Sequence, residues 1–254
     1  MRKRFGQHFL HDRQVIDRII GALAPLASDT IVEIGPGAGA LTYPLLDRLG
    51  HLVAIELDRD LVPVLRQRSA AHGELRLIEA DVLTVDFTAL AAGSPLRLVG
   101  NLPYNISTPI LFHALEHAAA IRDMHFMLQK EVVERMAAAP GGKEYGRLTV
   151  MLQARCSVEP LFEVPPGAFH PPPKVDSAVV RLLPLPANRP APRDPAVFEQ
   201  VVRHAFAQRR KTLRNALSDL ADSAQLVAAG VDPQARAETI PVGAYIALAN
   251  SLTP

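Results

Sequence analysis

The sequence predicts an α/β protein with a doubly wound, mostly parallel β-sheet and a small all-α C-terminal domain. Two observations lead to this fold class. In the first two-thirds of the 254-residue chain, short β-branched runs alternate with segments of helical spacing, which is typical of parallel strands joined by helices. After a proline-rich stretch, apolar residues recur at three- and four-residue intervals, which predicts helices that pack on one another.

The predicted strands of the parallel sheet are short apolar runs bounded by turn residues. They cover residues 30–34, 51–57, 75–80, 96–99 and 125–128. Helical spacing follows the first two strands, over residues 41–49 and 60–68. Because strand–helix–strand crossovers are right-handed, we expect helices on both faces of the sheet.

The chain divides at a proline-rich segment. Residues 184–195 hold many prolines with polar residues between them, and we interpret them as a linker. Residues 1–183 then form the α/β domain and residues 196–254 the helical domain. Within the first domain, two extended segments between residues 158 and 183 flank Pro165–Pro173, which predicts an antiparallel strand pair appended to the sheet.

Composition narrows the class of protein. With 48% apolar and 21% charged residues, the chain can bury a sizeable core, which argues against global disorder. Cys156 is the only cysteine, so an intramolecular disulfide and a multi-cysteine zinc site are both excluded. No apolar run reaches the roughly 18 residues that span a bilayer, and the N-terminus lacks a signal-peptide pattern. We therefore expect a soluble, cytoplasmic protein with no membrane partner.

The distribution of charge is more informative than its sum. The formal net charge is +1 at pH 7, which by itself favours no class of partner. Basic residues cluster at Arg2–Arg4 and again at Arg209–Lys211, whereas carboxylates are spread through the middle of the chain. This asymmetry permits a positively charged surface on a nearly neutral protein.

A glycine-rich turn follows the first predicted strand and contains Gly35, Gly37 and Gly39. Glycine lets the backbone come close to a ligand, and in a doubly wound sheet this turn lies at the carboxyl edge, where ligands bind. The turn also suits a nicotinamide dinucleotide, although Ala40 meets that fingerprint only in its looser form. A tight turn with no ligand is the third interpretation.

Two acidic residues favour S-adenosyl-L-methionine as the ligand. Glu56 ends the second predicted strand, where it can accept hydrogen bonds from both ribose hydroxyls, and Asp81 ends the third, where it can accept from the adenine amino group. Each acid alone is more often a solvated carboxylate. Together with the glycine turn, they mark the ends of three successive strands. This arrangement is expected of a Rossmann-like, class I methyltransferase sheet.

The tetrapeptide Asn101-Leu102-Pro103-Tyr104 follows the fourth predicted strand and suits an adenine as the methyl acceptor. The exocyclic amino group is a poor nucleophile, and the Asn101 side-chain oxygen with the Leu102 carbonyl could accept its two hydrogens. Pro103 stiffens the turn, and Tyr104 offers a ring face on which a flipped base can stack. A structural Asn-Leu-Pro turn is the alternative.

We expect neither a metal nor a prior general base. The amine loses its proton readily once it has attacked the methyl group, so catalysis can rest on position and electrostatics. His113, His117 and His125 lack a coherent ligand spacing, and we interpret them as structural.

A basic stripe is predicted on the first helix of the C-terminal domain. Arg203, Arg210 and Arg214 are separated by seven and four residues, which places them on one helical face, with Lys211 beside them. Such a stripe suits a phosphate backbone. The alternative is that these charges only form a solvated helix face, which is the usual explanation for a run of charges.

Five ordered motifs resemble the ribosomal RNA adenine dimethyltransferase family, and within it the bacterial small-subunit branch. The resemblance covers nearly the whole chain. Its motifs are residues 4–10, the glycine turn, residues 101–107, residues 169–177 and residues 208–215.

The resemblance implies further site residues. His8 and Leu10 would join Gly35, Glu56, Asp81 and Asn101 in holding the donor and the target base. Many members of the family have Asn where this chain has His8, and imidazole can also donate a hydrogen bond. Residues 169–177 would form a second substrate loop in which Phe169 closes on the adenine opposite Tyr104, with Phe169 as a core residue being the alternative.

The resemblance also implies a substrate. The partner would be the small ribosomal subunit precursor and its rRNA. Two adjacent adenosines near the 3′ end of that 16S rRNA would each be dimethylated during ribosome biogenesis. We expect the enzyme to be a monomer.

Three other functions compete with this one. The first is a related enzyme that acts on large-subunit RNA. Residues 208–215 argue against it, because they resemble the small-subunit branch. A nicotinamide-dependent oxidoreductase leaves Asn101–Tyr104 unexplained. A non-catalytic assembly factor would not need an intact donor site.

Overall fold

The structure is a computed structural model that describes residues 8–208 and 210–253. The chain folds into two compact units. The first comprises Met1–Val133 and Glu159–Pro184, and the second comprises Glu134–Val158 and Leu185–Pro254. The sequence predicted a single division at residues 184–195, with residues 134–158 in the first domain. The structure differs there, because residues 134–158 pack with the C-terminal helices.

Parallel strands form the predicted core of the first unit. They are β2 (Thr30–Ile34), β3 (His51–Glu56), β4 (Glu74–Glu79), β5 (Leu96–Asn101) and β6 (Ile121–Gln129). Strand β2 lies between β3 and β5, β4 flanks β3, and β6 flanks β5, with every one of these pairs parallel. This confirms the doubly wound sheet, since the strand order reverses direction at β2.

Two further strands extend the sheet to seven. Strand β9 (Ser177–Pro184) pairs antiparallel with β6, and β7 (Cys156–Val164) lies beyond β9 at the edge. A separate two-stranded ladder joins β1 (Phe9–Leu10) to β8 (Phe169–His170), with Leu10 opposite Phe169. The segment preceding the first helix is thereby tied to the segment between β7 and β9.

Among the described residues, five helices accompany the strands of the first unit. They are α1 (Arg13–Leu23), α2 (Thr42–Leu49), α3 (Val62–Ser69), α4 (Phe87–Ala91) and α5 (Ser107–Glu116). Short 3-10 helices lie at Val82–Thr84, Ala118–Ala120 and Pro166–Ala168. Helix α1 begins where the Asp12 side chain accepts from the Val15 amide at 3.1 Å, a normal N-cap. Its buried residues Val15, Ile16, Ile19, Ile20 and Leu23 join the core.

A buried guanidinium fixes the end of α1 against the sheet. Arg97, on β5, is 4% exposed. It donates to Asp29 at 2.7 Å, to Asp123 at 2.8 Å and to the Leu23 carbonyl at 2.6 Å. Because both carboxylates are also buried, each charge in this cluster depends on the others.

The second unit is mainly helical, as predicted for the C-terminal part of the chain. Its helices are α7 (Arg147–Gln153), α8 (Pro195–Ala207), α9 (Leu213–Ala216), α10 (Ser223–Ala228) and α11 (Val242–Leu252), with a 3-10 turn at Ala237–Thr239. Helix α6 (Lys130–Ala137) spans the division between the units. Two buried tyrosine hydroxyls fasten the core of the second unit, as Tyr145 donates to the Ile240 carbonyl and Tyr245 to the Ala237 carbonyl, each at 2.8 Å.

The predicted first C-terminal helix is shorter than expected. Helix α8 ends at Ala207, since Gln208 leaves the helical region with φ −135° and ψ 76°. Thr212 is extended and forms a bridge with Arg236, and the Leu213 amide donates to the Ala235 carbonyl at 2.9 Å. This long-range pairing replaces the helical hydrogen bonds that continued periodicity would require.

Within the two described ranges, no helix is long and apolar enough to cross a membrane.

Candidate active site

A cleft opens at the carboxyl ends of four adjacent strands. Gly35 follows β2, Glu56 ends β3, Asp81 follows β4 and Asn101 ends β5, and all four line the same cleft. Parallel strands place their carboxyl ends at one edge of a sheet. Residues far apart in the chain, predicted one by one from strand ends, therefore meet in one place.

The glycine turn adopts backbone conformations that other residues avoid. Gly35, Gly37 and Gly39 have φ values of 67°, 57° and 89°. A Cβ on Gly37 would lie 3.3 Å from the Phe9 ring, and one on Gly39 would overlap the Tyr43 ring. Each glycine is thus required locally. At Gly39 the requirement comes from Tyr43 packing.

Glu56 ties the glycine turn to the end of β3. Its carboxylate accepts from the Gly37 amide at 3.1 Å and from the Asp58 amide at 2.8 Å. The side chain is buried, and burial raises the pKa of this carboxyl above its usual value. An ionised carboxylate has about four acceptor sites, so Glu56 can hold the turn and still accept hydrogen bonds from a ligand.

Asp81 is oriented by the short helix that follows it. Its side chain accepts from the Leu83 amide at 3.0 Å and caps the 3-10 turn at Val82–Thr84. Asp81 itself is exposed. The cap holds the carboxylate at the rim of the cleft, where its predicted contact with an adenine amino group stays a prediction.

Glu33 also lines the cleft, although the sequence predicts no role for it. It is 2% exposed and accepts from the Thr42 hydroxyl at 2.6 Å. Burial raises the pKa of the Glu33 carboxyl to about 8, and the hydrogen bond from Thr42 only partly offsets this effect. An acid among the apolar residues Ile31, Val32 and Ile34 of strand β2 was the feature of the sequence that could have identified it.

Asn101 is fixed by a contact with the segment that precedes α1. Its side-chain nitrogen donates to the His8 carbonyl at 2.9 Å. Because that nitrogen is the donor end of the amide, the side-chain oxygen remains as an acceptor. Leu102 is buried, and its amide donates to the Met127 carbonyl at 3.2 Å, so the turn that contains Pro103 starts from a rigid strand end.

Tyr104 is held on its ring face and at its hydroxyl. The His8 ring stacks against it, with centroids 5.8 Å apart and planes at 29°. The tyrosine hydroxyl hydrogen bonds to the Ser177 hydroxyl at 2.7 Å. His8 Nδ1 lies 2.7 Å from the Pro171 carbonyl, and a carbonyl only accepts, so Nδ1 carries the proton. His8, Leu10 and Tyr104 all line the cleft.

The position of Phe169 corrects the expected stacking role. Phe169 is 2% exposed and belongs to the hydrophobic core that also contains Leu10 and Val179. It does not belong to the described residues that line the cleft. Pairing with Leu10 in the β1–β8 ladder fixes the residue in this apolar environment, so Phe169 supports the loop from beneath.

The basic residues predicted to meet RNA lie in the second unit, but on more than one element. Arg203 is on α8, Arg210 and Lys211 are in the turn that follows, and Arg214 is on α9. All four are exposed, yet the break at Gln208 means that they do not form a stripe on a single helix. Arg2–Arg4 and Arg209 lie outside the described residues.

Arg236 is a basic residue that sequence reasoning did not select. The bridge between Thr212 and Arg236 places it beside the turn that carries Arg210 and Lys211. No local feature of the sequence predicts this position of Arg236, because the pairing joins segments more than twenty residues apart.

Two of the three histidines interpreted as structural have local hydrogen-bond partners. The His113 ring contacts the Val85 carbonyl at 2.9 Å, and the His117 ring contacts the Thr88 hydroxyl at 2.9 Å. His125 is buried on β6. Among the described residues, no group of three or more His, Cys, Asp or Glu side chains could hold a metal ion.

Comparisons with known proteins identify the family of this chain. The family model described as "Ribosomal RNA adenine dimethylase" matches residues 1–254. A "Ribosomal RNA small subunit methyltransferase A" from Xanthomonas campestris pv. campestris (strain B100) is 62% identical, covering 98% of this chain and 95% of the relative. The protein of the same name from Xanthomonas axonopodis pv. citri (strain 306) is 63% identical, with the same coverage.

Two solved structures share the fold over nearly the whole chain. A dimethyladenosine transferase from Plasmodium falciparum superposes with a TM-score of 0.79 at 26% identity, covering 95% of this chain and 96% of its own. The 23S rRNA methyltransferase ErmE gives a TM-score of 0.72 at 29% identity, covering 96% and 99%. With a family model matched over its full length and relatives above 60% identity, the chain belongs to the ribosomal RNA adenine dimethylase family.

Proposed function

We propose that this chain uses S-adenosyl-L-methionine to dimethylate the exocyclic amino groups of two adjacent adenosines near the 3′ end of small-subunit (16S) ribosomal RNA. The observation that carries the proposal is the amide of Asn101, a residue that lines the same cleft as the glycine turn and Glu56. Its nitrogen donates to the His8 carbonyl, which leaves the side-chain oxygen as an acceptor. Membership of the dimethylase family and the names of the 62–63% identical relatives support this choice of substrate.

The chemistry of the cleft fits the methyl donor. Glu56 offers remaining acceptor positions for ribose hydroxyls, and its bonds to the turn keep the carboxylate in place. Gly35 and Gly37 leave the backbone bare where a ligand would approach. Asp81, oriented by its cap, would accept from the donor's adenine amino group. When bound, this donor supplies an activated methyl group on a sulfonium.

The target adenine would be held by the residues after β5. The Asn101 side-chain oxygen and the Leu102 carbonyl would accept the two hydrogens of the amino group and direct its lone pair toward the methyl group. Pro103 has no amide hydrogen to compete for these acceptors. Tyr104 offers the ring face for the flipped base, a contact typically contributing about 1–3 kcal/mol per base. The amine proton leaves after attack, so positioning carries the catalysis.

The second unit would dock on RNA. Arg203, Arg210, Lys211 and Arg214 are exposed and basic, and guanidinium groups can pair with phosphates bidentately. We propose the small ribosomal subunit precursor as the partner, with the enzyme acting as a monomer in the cytoplasm during ribosome biogenesis.

Isotope transfer tests this function directly. The protein is incubated with methyl-labelled S-adenosyl-L-methionine and ribosomal subunits from a strain that lacks this modification. Label in small-subunit RNA, mapped to two adjacent adenosines near its 3′ end, is the expected result. Label confined to large-subunit RNA, or absent from both RNAs, would contradict the proposal.

A further inference from the structure

We infer that Ser177 is a positioning residue for the reaction, because its hydroxyl fixes the ring of Tyr104 on which the target adenine would stack. The inference rests on the proposed function and adds to it a residue outside the cleft lining. Ser177 is completely buried, and its hydroxyl lies 2.7 Å from the hydroxyl of Tyr104.

Ser177 is a rigid anchor because the sheet fixes it. It is the first residue of β9 and lies opposite Gln129 of β6 in the antiparallel ladder. Strand β6 in turn pairs with β5, where Met127 lies opposite Asn101. The hydroxyl of Ser177 and the amide of Asn101 are thus set by the same continuous ladder.

Tyr104, in contrast, lies in the connection between β5 and α5. Its carbonyl accepts from the Ser107 hydroxyl at 3.2 Å, which holds the backbone but leaves the side-chain torsions free. The contact at Ser177 restrains the far end of the ring, at the hydroxyl. The His8 ring also stacks against Tyr104. The two contacts together restrain the orientation of the tyrosine ring.

The loop between β8 and β9 joins both restraints. Its Pro171 carbonyl bonds to His8, and Ser177 at its other end bonds to Tyr104. The ring on which a base would stack is therefore set from two sides by one loop. The next residues of the strand, Ala178, Val179 and Val180, are buried and apolar. The hydrogen bond to Tyr104 explains why a polar side chain is buried beside them at residue 177.

A double-mutant cycle tests the inference. Ser177→Ala, Tyr104→Phe and the double variant are compared with wild type for turnover on undermethylated small subunits at saturating donor. Each single variant should lose about threefold to tenfold in turnover, as expected for one neutral hydrogen bond, with unchanged donor affinity. The double variant should lose no more than the worse single variant, because both changes remove the same contact.

Ser69→Ala is the matched control. Ser69 is also a buried serine, 2% exposed, but its hydroxyl has no hydrogen-bond partner among the described residues, so this variant should keep wild-type turnover. If Ser177 had a purely structural role, Ser177→Ala would leave turnover unchanged. It would also lower the melting temperature by the same amount in the wild-type and Tyr104→Phe proteins.

Three outcomes overturn the inference: wild-type turnover in Tyr104→Phe, wild-type turnover in a folded Ser177→Ala protein, or losses that multiply in the double variant. Turnover of Tyr104→Phe alone tests the inference if Ser177→Ala does not fold. An inactive wild-type protein would instead refute the proposed function, so the two failures are distinguishable.

Discussion

The side-chain nitrogen of Asn101 donates to the backbone carbonyl of His8 at 2.9 Å, so the segment before the first helix determines which way the amide faces. This contact joins residues 93 positions apart in the chain. It leaves the side-chain oxygen as an acceptor, and we propose that this oxygen accepts a hydrogen bond from the amino group of the target adenine.

Replacing Asn101 with Ala should abolish most methyl transfer while donor affinity stays near wild type. The amide matters most as the lone pair of the amine is directed at the methyl group, so the loss should appear in turnover. Single-turnover transfer and calorimetric donor binding separate the two effects. Transfer at the wild-type rate would remove Asn101 from the reaction.

Glu56→Gln should weaken donor binding by roughly 1.5–3 kcal/mol, the usual contribution of hydrogen bonds to a charged group. Calorimetry with S-adenosyl-L-methionine measures it. Glu79→Gln is a matched control, since Glu79 lies opposite Glu56 in the β3–β4 ladder but is exposed and pairs with Arg59. Equal donor affinities in both variants and wild type would exclude Glu56 as a donor ligand.

Glu33 should make stability depend on pH. Its carboxyl loses a proton near 4.5 in a model peptide but only at about 8 in the folded protein. The folded state therefore binds the proton more tightly, and this contribution to stability is present at low pH and is lost as pH rises toward about 8. Glu33→Gln keeps the acceptor for Thr42 without the charge.

Chemical denaturation at pH 5 and pH 8 compares the two proteins. The stability of Glu33→Gln relative to wild type should increase between these pH values. A difference that is constant with pH would mean that Glu33 is ionised in the folded protein throughout.

Phe169→Ala should destabilise the fold by about 3–5 kcal/mol, the usual loss for a fully buried aromatic side chain. Urea denaturation measures this change. Tyr104→Ala, at a half-buried position, should cost less stability but impair stacking of a 2-aminopurine placed at the target. A stable Phe169→Ala protein with impaired 2-aminopurine quenching would restore the stacking role expected from the sequence.

The basic residues of the second unit should govern RNA affinity. Replacing Arg203, Arg210 and Arg214 with Ala should weaken subunit binding and flatten the plot of log affinity against log salt. The expected change is about 0.7 per lost phosphate contact on a single strand. Arg48, Arg66 and Arg76 are exposed arginines of the first unit, and their triple Ala variant is the charge-matched control. Equal salt slopes in both triple variants would remove this surface from RNA docking.

Local pattern was sufficient to predict the cleft because of how parallel sheets are built. Gly35, Glu56, Asp81 and Asn101 each lie at the end of a recognisable strand or just after it, and the carboxyl ends of such strands converge. No long-range contact had to be known to bring these four residues together.

The incorrect predictions all depended on pairings between distant segments. Phe169 lies in the core, where a two-residue ladder joins it to Leu10. Helix α8 ends at Ala207, and in the segment that follows Thr212 pairs with Arg236. Residues 134–158 group with the C-terminal helices through tertiary packing. Periodicity and local motifs do not predict which distant segments pair.

The most direct test of the central claim is mass spectrometry of small-subunit RNA after incubation with donor and either wild-type protein or Asn101→Ala. With wild type, two adjacent adenosines near the 3′ end should each gain two methyl groups, and with Asn101→Ala most copies of the RNA should stay unmodified at both. Methylation at another nucleotide, or equal dimethylation by the variant, would contradict the account.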